Sequence, residues 1–329
     1  RVDLCLMSWR SGIDSATLQQ RSKIYRTIRR FFDDRGVAEV TTPVLGASGV
    51  SDLHIQSLSL VDDGQSWFLQ SSPEYSMKRL LASGSGSIYQ ICPAFRAGEL
   101  GSKHNTEFSM LEWYRVGYSL EELVAEVATL LQQTLDVNQV QTSKFRFTTY
   151  RELFTSRFDV NPHDAGIETL RGLIFAENLA SDHIDNIDDD ATCNECLDLL
   201  FSRCIEPDLD EPTFVLEFPA GQAALAKIVT NDQCDVVARR FELYWQGMEL
   251  ANGYDELTDP AELRQRFEKN NTQRVARGLI EMAPDKKLLA SMSELPDCAG
   301  VAIGLDRLVM LLCGKTSIDE VLTFSRQRL

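Results

Sequence analysis

The chain has 329 residues, 43% hydrophobic and 25% charged, the balance of a globular protein with room for one large α/β domain or two modest ones. Its formal net charge of −16 has the wrong sign for displacing counterions from phosphates, so binding to a tRNA body or an anionic membrane is disfavoured outside a local basic patch. No apolar stretch is long enough to span a bilayer, and the opening residues to Met7 lack the core and cleavage site of a signal peptide.

Residues 1–14 are expected to be disordered or a spurious extension, with Met7 an alternative start. Asp14 or Ser15 caps a predicted helix with Leu18, Ile24, Ile28, Phe31 and Phe32 on its apolar face, ended by Gly36. Residues 37–43 follow as a strand stopped by Pro43. A turn-rich stretch at 46–52 leads to a short strand at 67–70 and a helix at 73–81. Two strands, 87–95 and 105–114, are joined by a polar loop, 96–104. Ser119-Leu-Glu-Glu122 is a capping box that opens a helix with Leu120, Leu123, Val124, Val127, Leu130 and Leu131 on one face.

From about 150 to 210 the pattern is helical with acidic loops. Asp182, Asp185, Asp188, Asp189 and Asp190 lack calcium-hand spacing and read as a solvated acidic surface. The run from Cys193 to Cys204 reads as an amphipathic helix. Its single C-x-x-C has no second pair of ligands nearby, which favours buried helix cysteines over zinc or redox chemistry. The eight cysteines suggest no disulfide framework and fit a reducing cytoplasm. Strands return at 213–218, 236–245 and 248–252, and a helix spans 260–277 with Gly278 after its end. A strand of small residues, 299–304, runs directly into a helix at 305–312. Strands on both sides of a helical insertion at about 150–210 predict one α+β domain over 15–329, with a mostly antiparallel sheet flanked by helices.

Three segments carry candidate chemistry. Phe95-Arg96-Ala-Gly-Glu99 closes one strand and His104-Asn-Thr-Glu107-Phe108 opens the next. An arginine at the lip of a hairpin can hold a phosphate through two N–H groups, although a surface Arg–Glu pair is an equally ordinary reading. Glu242, Glu249 and Glu256 are seven residues apart on predicted strands. They could converge on a cleft and bind Mg²⁺ together with substrate phosphates, or they could simply face water. Arg307 opens a helix whose start already carries positive dipole, which suits an anion such as a triphosphate; the alternative is a surface arginine paired with Asp306.

As a set, these segments resemble the three signature motifs of class II aminoacyl-tRNA synthetases. Residues 32–43 resemble the first, with its helix, strand and proline at the dimer interface. Residues 95–112 resemble the second, and Gly304-Leu-Asp-Arg307 the third. The finer resemblance is to the lysyl branch. It rests on Ser72-Pro-Glu74 with Lys78-Arg-Leu, on His104-Asn-Thr-Glu-Phe108-Ser-Met-Leu-Glu112-Trp-Tyr114, and on Glu249-Leu-Ala-Asn252-Gly-Tyr-Asp-Glu256-Leu. It covers nearly the whole chain from about residue 15. Lysyl-tRNA synthetases carry a large N-terminal anticodon-binding domain, whereas fewer than twenty residues stand before the first-motif helix here. In size and wording the chain resembles the lysyl-synthetase paralogues that attach (R)-β-lysine to a lysine of elongation factor P, a protein shaped like tRNA.

This resemblance implies a class II synthetase catalytic core and an ATP-dependent, AMP-forming ligase. It also implies a cytoplasmic homodimer with elongation factor P as acceptor, β-lysine or lysine as substrate, no stable tRNA binding and no membrane. Carried over by position, Arg96 and Arg307 would be the catalytic arginines, on the α- and γ-phosphates, with the adenine between Arg307 and Phe108. His104 and Glu99 would lie near the nucleotide, and Glu242 and Glu249 would hold Mg²⁺. Ser72, Glu74, Glu112, Tyr114, Asn252, Glu256 and Ala302 would line the amino-acid pocket, where carboxylates suit a diamine cation. Three positions depart from the synthetase pattern. Gly98 stands where a glutamate is usual, Thr106 replaces a proline and is expected to loosen its loop, and Ala302 replaces a glycine. A truncated synthetase-like ligase with another acceptor and a non-catalytic regulatory paralogue are the competing readings. Retention of Arg96, Glu242, Glu249 and Arg307 together argues against the second.

Overall fold

The computed structural model describes residues 9–142, 144–180 and 189–329. Of the first fourteen residues, 9–14 fall in the described part: the Gly12 N–H donates to the Thr323 carbonyl at 3.0 Å, and Asp14 caps the first helix. That helix, α1 (Ser15–Asp33), begins where the Asp14 carboxylate accepts the Thr17 N–H at 2.7 Å, satisfying a donor that every helix start leaves free. Ile24, Ile28, Phe31 and Phe32 are buried, as their spacing predicts. Leu18 is exposed and Thr17 is buried in its place, because adjacent helical positions point about 100° apart.

The strand expected over 37–43 shrinks to β1 (Ala38–Glu39). Its pairing ends after the Val40 N–H reaches the Tyr89 carbonyl, and Pro43 has no N–H to continue it. A small sheet joins β2 (Leu45–Gly46), β3 (Ser59–Asp62) and β4 (Gln65–Leu69). Only β4 was expected there. The hairpin signal is Asp63-Gly64, whose φ angles of 48° and 75° are those of a tight turn with both central residues left-handed.

The main sheet is built from β1, β5 (Ile88–Phe95), β6 (Glu107–Val116), β7 (Arg146–Thr149), β8 (Thr213–Pro219), β9 (Ile228–Thr230), β10 (Val236–Tyr244), β11 (Glu249–Asp255) and β12 (Cys298–Gly304). Its order is β1-β5-β6-β12-β11-β10-β8-β7, with β9 paired to β10. Only the outer pairs, β1 with β5 and β7 with β8, are parallel. The α+β class with a mostly antiparallel sheet is therefore borne out.

Side chains alternate between the faces of a strand, and this sheet uses the alternation to separate core from chemistry. Leu111, Trp113, Phe241, Leu243, Val301 and Ile303 point to one face and are buried. Covering them are α1, α3 (Leu120–Asn138) and α9 (Leu305–Leu312). Phe32 stacks on Tyr89 at 4.3 Å and meets Trp113 edge-on at 5.3 Å. Each such side chain contributes roughly 1.5–3 kcal/mol by leaving water. The predicted capping box of α3 is present, with Glu122 N–H on the Ser119 hydroxyl and Ser119 N–H on the Glu122 carboxylate.

Two further apolar clusters buttress the sheet. Between β7 and β8 run α4 (Tyr150–Phe158), α5 (Ile167–Ala176) and α6 (Asp189–Cys204), which bury Tyr150, Phe154 and Phe201 against Phe218. Cys196 is buried in α6, whereas Cys193 and Cys204 are half-buried. Asp182, Asp185 and Asp188 lie outside the described residues. The third cluster joins α2 (Glu74–Ala82), α7 (Pro260–Ala276) and α8 (Lys286–Ser291) through Met77, Leu81, Leu263, Phe267 and Leu288. Helix α8 was not expected; Asp285 caps it through the Lys287 and Leu288 N–H groups. No helix among the described residues is long and apolar enough to cross a membrane.

Candidate active site

Glu112, Ala302, Asn252 and Glu242 form one row across four neighbouring strands, each directly opposite the next. Directly opposed residues project to the same face. The row therefore floors a cleft on the side of the sheet away from α1 and α3. Tyr114 and Gly300 pair in the next row on this face. The cleft holds about 910 Å³, and every candidate site residue named from the sequence lines it.

One end is cationic. The Arg307 guanidinium donates to the Glu249 carbonyl at 2.8 Å and lies 2.6 Å from the His104 ring nitrogen. Partial withdrawal from water, and then the Arg307 charge, hold His104 below its ordinary pKa. Arg96 lies over the Phe108 ring at 5.2 Å and 3.6 Å from Glu99. Gly98 takes φ 79°, a left-handed turn that turns the chain so that Glu99 still reaches Arg96. The loosening expected from Thr106 does not follow. Its hydroxyl accepts from Arg326 at 3.0 Å and its carbonyl accepts the Arg96 N–H at 2.9 Å, so the loop is tied to the C-terminal segment.

Arg307 is not paired with Asp306. Asp306 is buried and accepts from Arg21 of α1 at 2.6 Å and from the Ser109 N–H at 2.6 Å. Arg21 also donates to Tyr25 and to the Ser109 hydroxyl. The first-motif helix, β6 and the start of α9 thus meet in one buried network, which leaves Arg307 free to face the cleft.

In the middle, Glu242 is buried and contacts both Arg240 and the Tyr244 hydroxyl. Burial is the main cause that pushes its carboxyl up to about 7; Arg240 opposes the shift and Glu249 reinforces it. Two mutually repelling carboxylates beside the cationic end of the cleft suit a hard cation with oxygen ligands. Among the described residues no three His, Cys, Asp or Glu side chains cluster to hold a metal by themselves.

The other end is acidic. Glu112 accepts from the Ser72 hydroxyl and from the Tyr114 hydroxyl, both at 2.6 Å. Burial, and then the Glu74 charge, push its carboxyl up to about 7. Glu256 is buried, with its carboxylate 2.6 Å from the Lys78 ammonium. A Cβ at Gly300 would collide with the Tyr114 ring and with Glu256, so only glycine lets this corner close.

The comparisons with known proteins agree with this geometry. The family described as tRNA synthetases class II (D, K and N) matches residues 1–328. The chain belongs to the class II tRNA synthetases. Among relatives within that family, a protein of Edwardsiella ictaluri (strain 93-146) named elongation factor P–(R)-β-lysine ligase is 45% identical over 332 residues, 98% of this chain and 99% of the relative. Proteins of the same name from Salmonella dublin and Salmonella paratyphi B are 43% and 42% identical, each over 98% of both chains.

Several groups that shape this class II site were not singled out from the sequence. Arg240 contacts Glu242 and donates to Asn252 at 3.1 Å. Asn194 and Asp198 of α6 also line the cleft, so the helical insertion takes part in its wall. Lys78 was noted only as part of a motif. Its i, i+4 spacing from Glu74 was the available signal.

Proposed function

We propose that this chain activates (R)-β-lysine with ATP and transfers it to a lysine side chain of elongation factor P. The observation that carries this reading is the polarity of a single cleft, with arginines at one end and three buried or half-buried carboxylates at the other. That arrangement suits a triphosphate and a diamino acid at once, and the names of the relatives supply the acceptor.

In this reading the substrate carboxylate attacks the α-phosphorus of ATP, the bond to pyrophosphate breaks, and an aminoacyl-adenylate forms. Arg96 holds the α-phosphate and Arg307 the γ-phosphate, with His104 and Glu99 beside the nucleotide. Phe108 and Arg307 enclose the adenine. Glu242 and Glu249 would hold Mg²⁺, which when bound offsets triphosphate charge. Ser72, Glu74, Glu112, Tyr114, Asn252 and Glu256 hold the substrate ammonium groups over Ala302. The acceptor amine, having lost a proton to solvent, then attacks the adenylate carbonyl. An amide forms, the second amine proton is released, and AMP leaves. Catalysis is positioning and charge stabilisation, with no covalent enzyme intermediate. We further propose a cytoplasmic homodimer assembled through the first-motif region.

The test is amino-acid-dependent pyrophosphate exchange across a panel of amino acids, followed by transfer to purified elongation factor P. Exchange strongest with β-lysine, together with labelling of one acceptor lysine, is expected. Exchange confined to other amino acids, or an unlabelled acceptor, would overturn the reading.

A further inference from the structure

Lys78 is 2% exposed, and its ammonium lies 2.7 Å from Glu74 and 2.6 Å from Glu256. Its helix neighbours Met77 and Leu81 are sealed in the apolar cluster with Leu263 and Phe267. Lysine is strongly hydrated and almost never fully buried unless paired. Burial works against its charge, yet the two adjacent carboxylates hold its pKa above the ordinary range, so it stays a cation.

The charge of this end of the cleft can be counted. Glu74, Glu112 and Glu256 bring three carboxylates, and Lys78 brings one ammonium. Glu112 is held by the neutral hydroxyls of Ser72 and Tyr114. Tyr75, Cys92, Tyr114, Tyr254 and Cys298, titratable groups that also face Lys78 or its partners, are kept protonated by burial and do not change the count. Without a compensating cation, three carboxylates in one poorly hydrated pocket could not all stay ionised. One would take up a proton and the others would lose their fixed positions.

We propose that Lys78 is a specificity-determining residue that sets the charge of the amino-acid pocket. It cancels one of the three carboxylates and, once a bound substrate ammonium draws Glu112 and Glu256 into their ionised forms against the burial that raises both, leaves two negative charges. A diamino acid brings two ammonium groups, so the two remaining carboxylate charges match them one for one. A monoamino acid would leave one of the two carboxylate charges unpaired in a poorly hydrated pocket, so the pocket discriminates against it. This inference rests on the proposed function for its substrate class.

The experiment compares wild type, Lys78→Met, Glu256→Gln and the double variant. Each is assayed for pyrophosphate exchange with β-lysine, α-lysine and norleucine, which lacks the side-chain ammonium, and each is checked by thermal unfolding. Lys78→Met is expected to lower kcat/KM for the diamino acids by about tenfold or more and to narrow their preference over norleucine, because a buried charge is left unpaired. The double variant restores two net charges and is expected to recover part of that loss, a non-additive result. An unchanged preference in Lys78→Met, or a double variant as impaired as the product of the single effects, would overturn the inference. If Lys78→Met does not fold, Lys78→Arg and the double variant carry the test. Both keep the charge count and are expected to keep the diamino-acid preference, and its loss in both would overturn the proposal. A wild-type enzyme that exchanges with neither lysine isomer would overturn the proposed function instead, whatever the variants do.

Discussion

Ala302 stands directly between Glu112 on one strand and Asn252 on the other, with its methyl group toward the cleft. A methyl on a central strand cannot retreat without moving the backbone, because such interiors are close-packed. It should crowd the α-ammonium of α-lysine, while β-lysine carries that ammonium one carbon further along. Ala302→Gly is therefore expected to raise activity with α-lysine relative to β-lysine. A methylene-scale steric difference supplies roughly 1–3 kcal/mol, so the change in preference should be partial. Competitive adenylation with both isomers measures it, and an unchanged ratio would show that the methyl does not meet substrate. Glu112 gives a second expectation at this scale. Its carboxyl is raised from the ordinary 4.5 to about 7 in the folded protein. A raised folded pKa contributes stability that is fully present below pH 4.5 and is lost as pH rises through 7. The ligand-free protein should lose stability across that window, and Glu112→Gln should flatten the loss, by at most about 3 kcal/mol at pH 8. Thermal unfolding against pH reads this directly. In the proposed function Glu112 receives a substrate ammonium in its ionised form, so substrate affinity should rise between pH 6 and pH 8.

Among the elements, the joint of α1, β6 and α9 decides whether Arg307 is presented correctly. Arg21 of α1 is tied to Asp306, which immediately precedes Arg307, and to Ser109, which immediately follows Phe108. Arg21→Ala would leave the buried Asp306 carboxylate without its cation. Breaking such a pair costs about 3–5 kcal/mol. The expected outcome is a lower unfolding midpoint and an ATP KM raised more than the amino-acid KM, since the network holds Asp306 and Ser109, the chain neighbours of Arg307 and Phe108, which enclose the nucleotide in the proposed function. Equal changes in the two KM values would mean that Arg21 stabilises the fold without positioning the nucleotide site. Helices α1 and α3 were legible beforehand because caps and periodicity are local: Asp14, the Ser119–Glu122 box and the Ile24–Phe32 stripe each announce themselves within a few residues. The partner of Asp306 was not legible. Arg307 is its chain neighbour, and nothing in the local pattern favours Arg21, 285 positions away. Lys78 hides its role in the same way, since its link to Glu74 is one helical turn but its link to Glu256 needs the folded sheet. The cleft row was half legible. Seven-residue spacing joins Glu242, Glu249 and Glu256, yet the register that sets Glu242 beside Asn252 is a property of the ladder.

For the whole molecule, 33 basic residues stand against 49 acidic ones, a net charge of −16. Of the basic residues that line the cleft, Arg96 and Arg307 are committed to ATP in the proposed function, and Arg240 and Arg266 are paired with Glu242 and Glu262. A polyanion approaching the surface therefore meets net repulsion, and it gains none of the counterion release that drives nucleic-acid binding. The repulsion is strongest at low ionic strength, where the screening length is longest. A true tRNA ligand would behave in the opposite way, binding more tightly as salt is lowered. Adding bulk tRNA at low salt to enzyme, ATP, labelled β-lysine and elongation factor P should thus leave transfer to the protein acceptor unchanged and the tRNA unlabelled. Labelled tRNA, or inhibition of transfer that salt relieves, would mean that a local basic patch outweighs the global charge. The acceptor would then have to be reassigned, while the nucleotide and amino-acid ends of the cleft would keep their proposed roles.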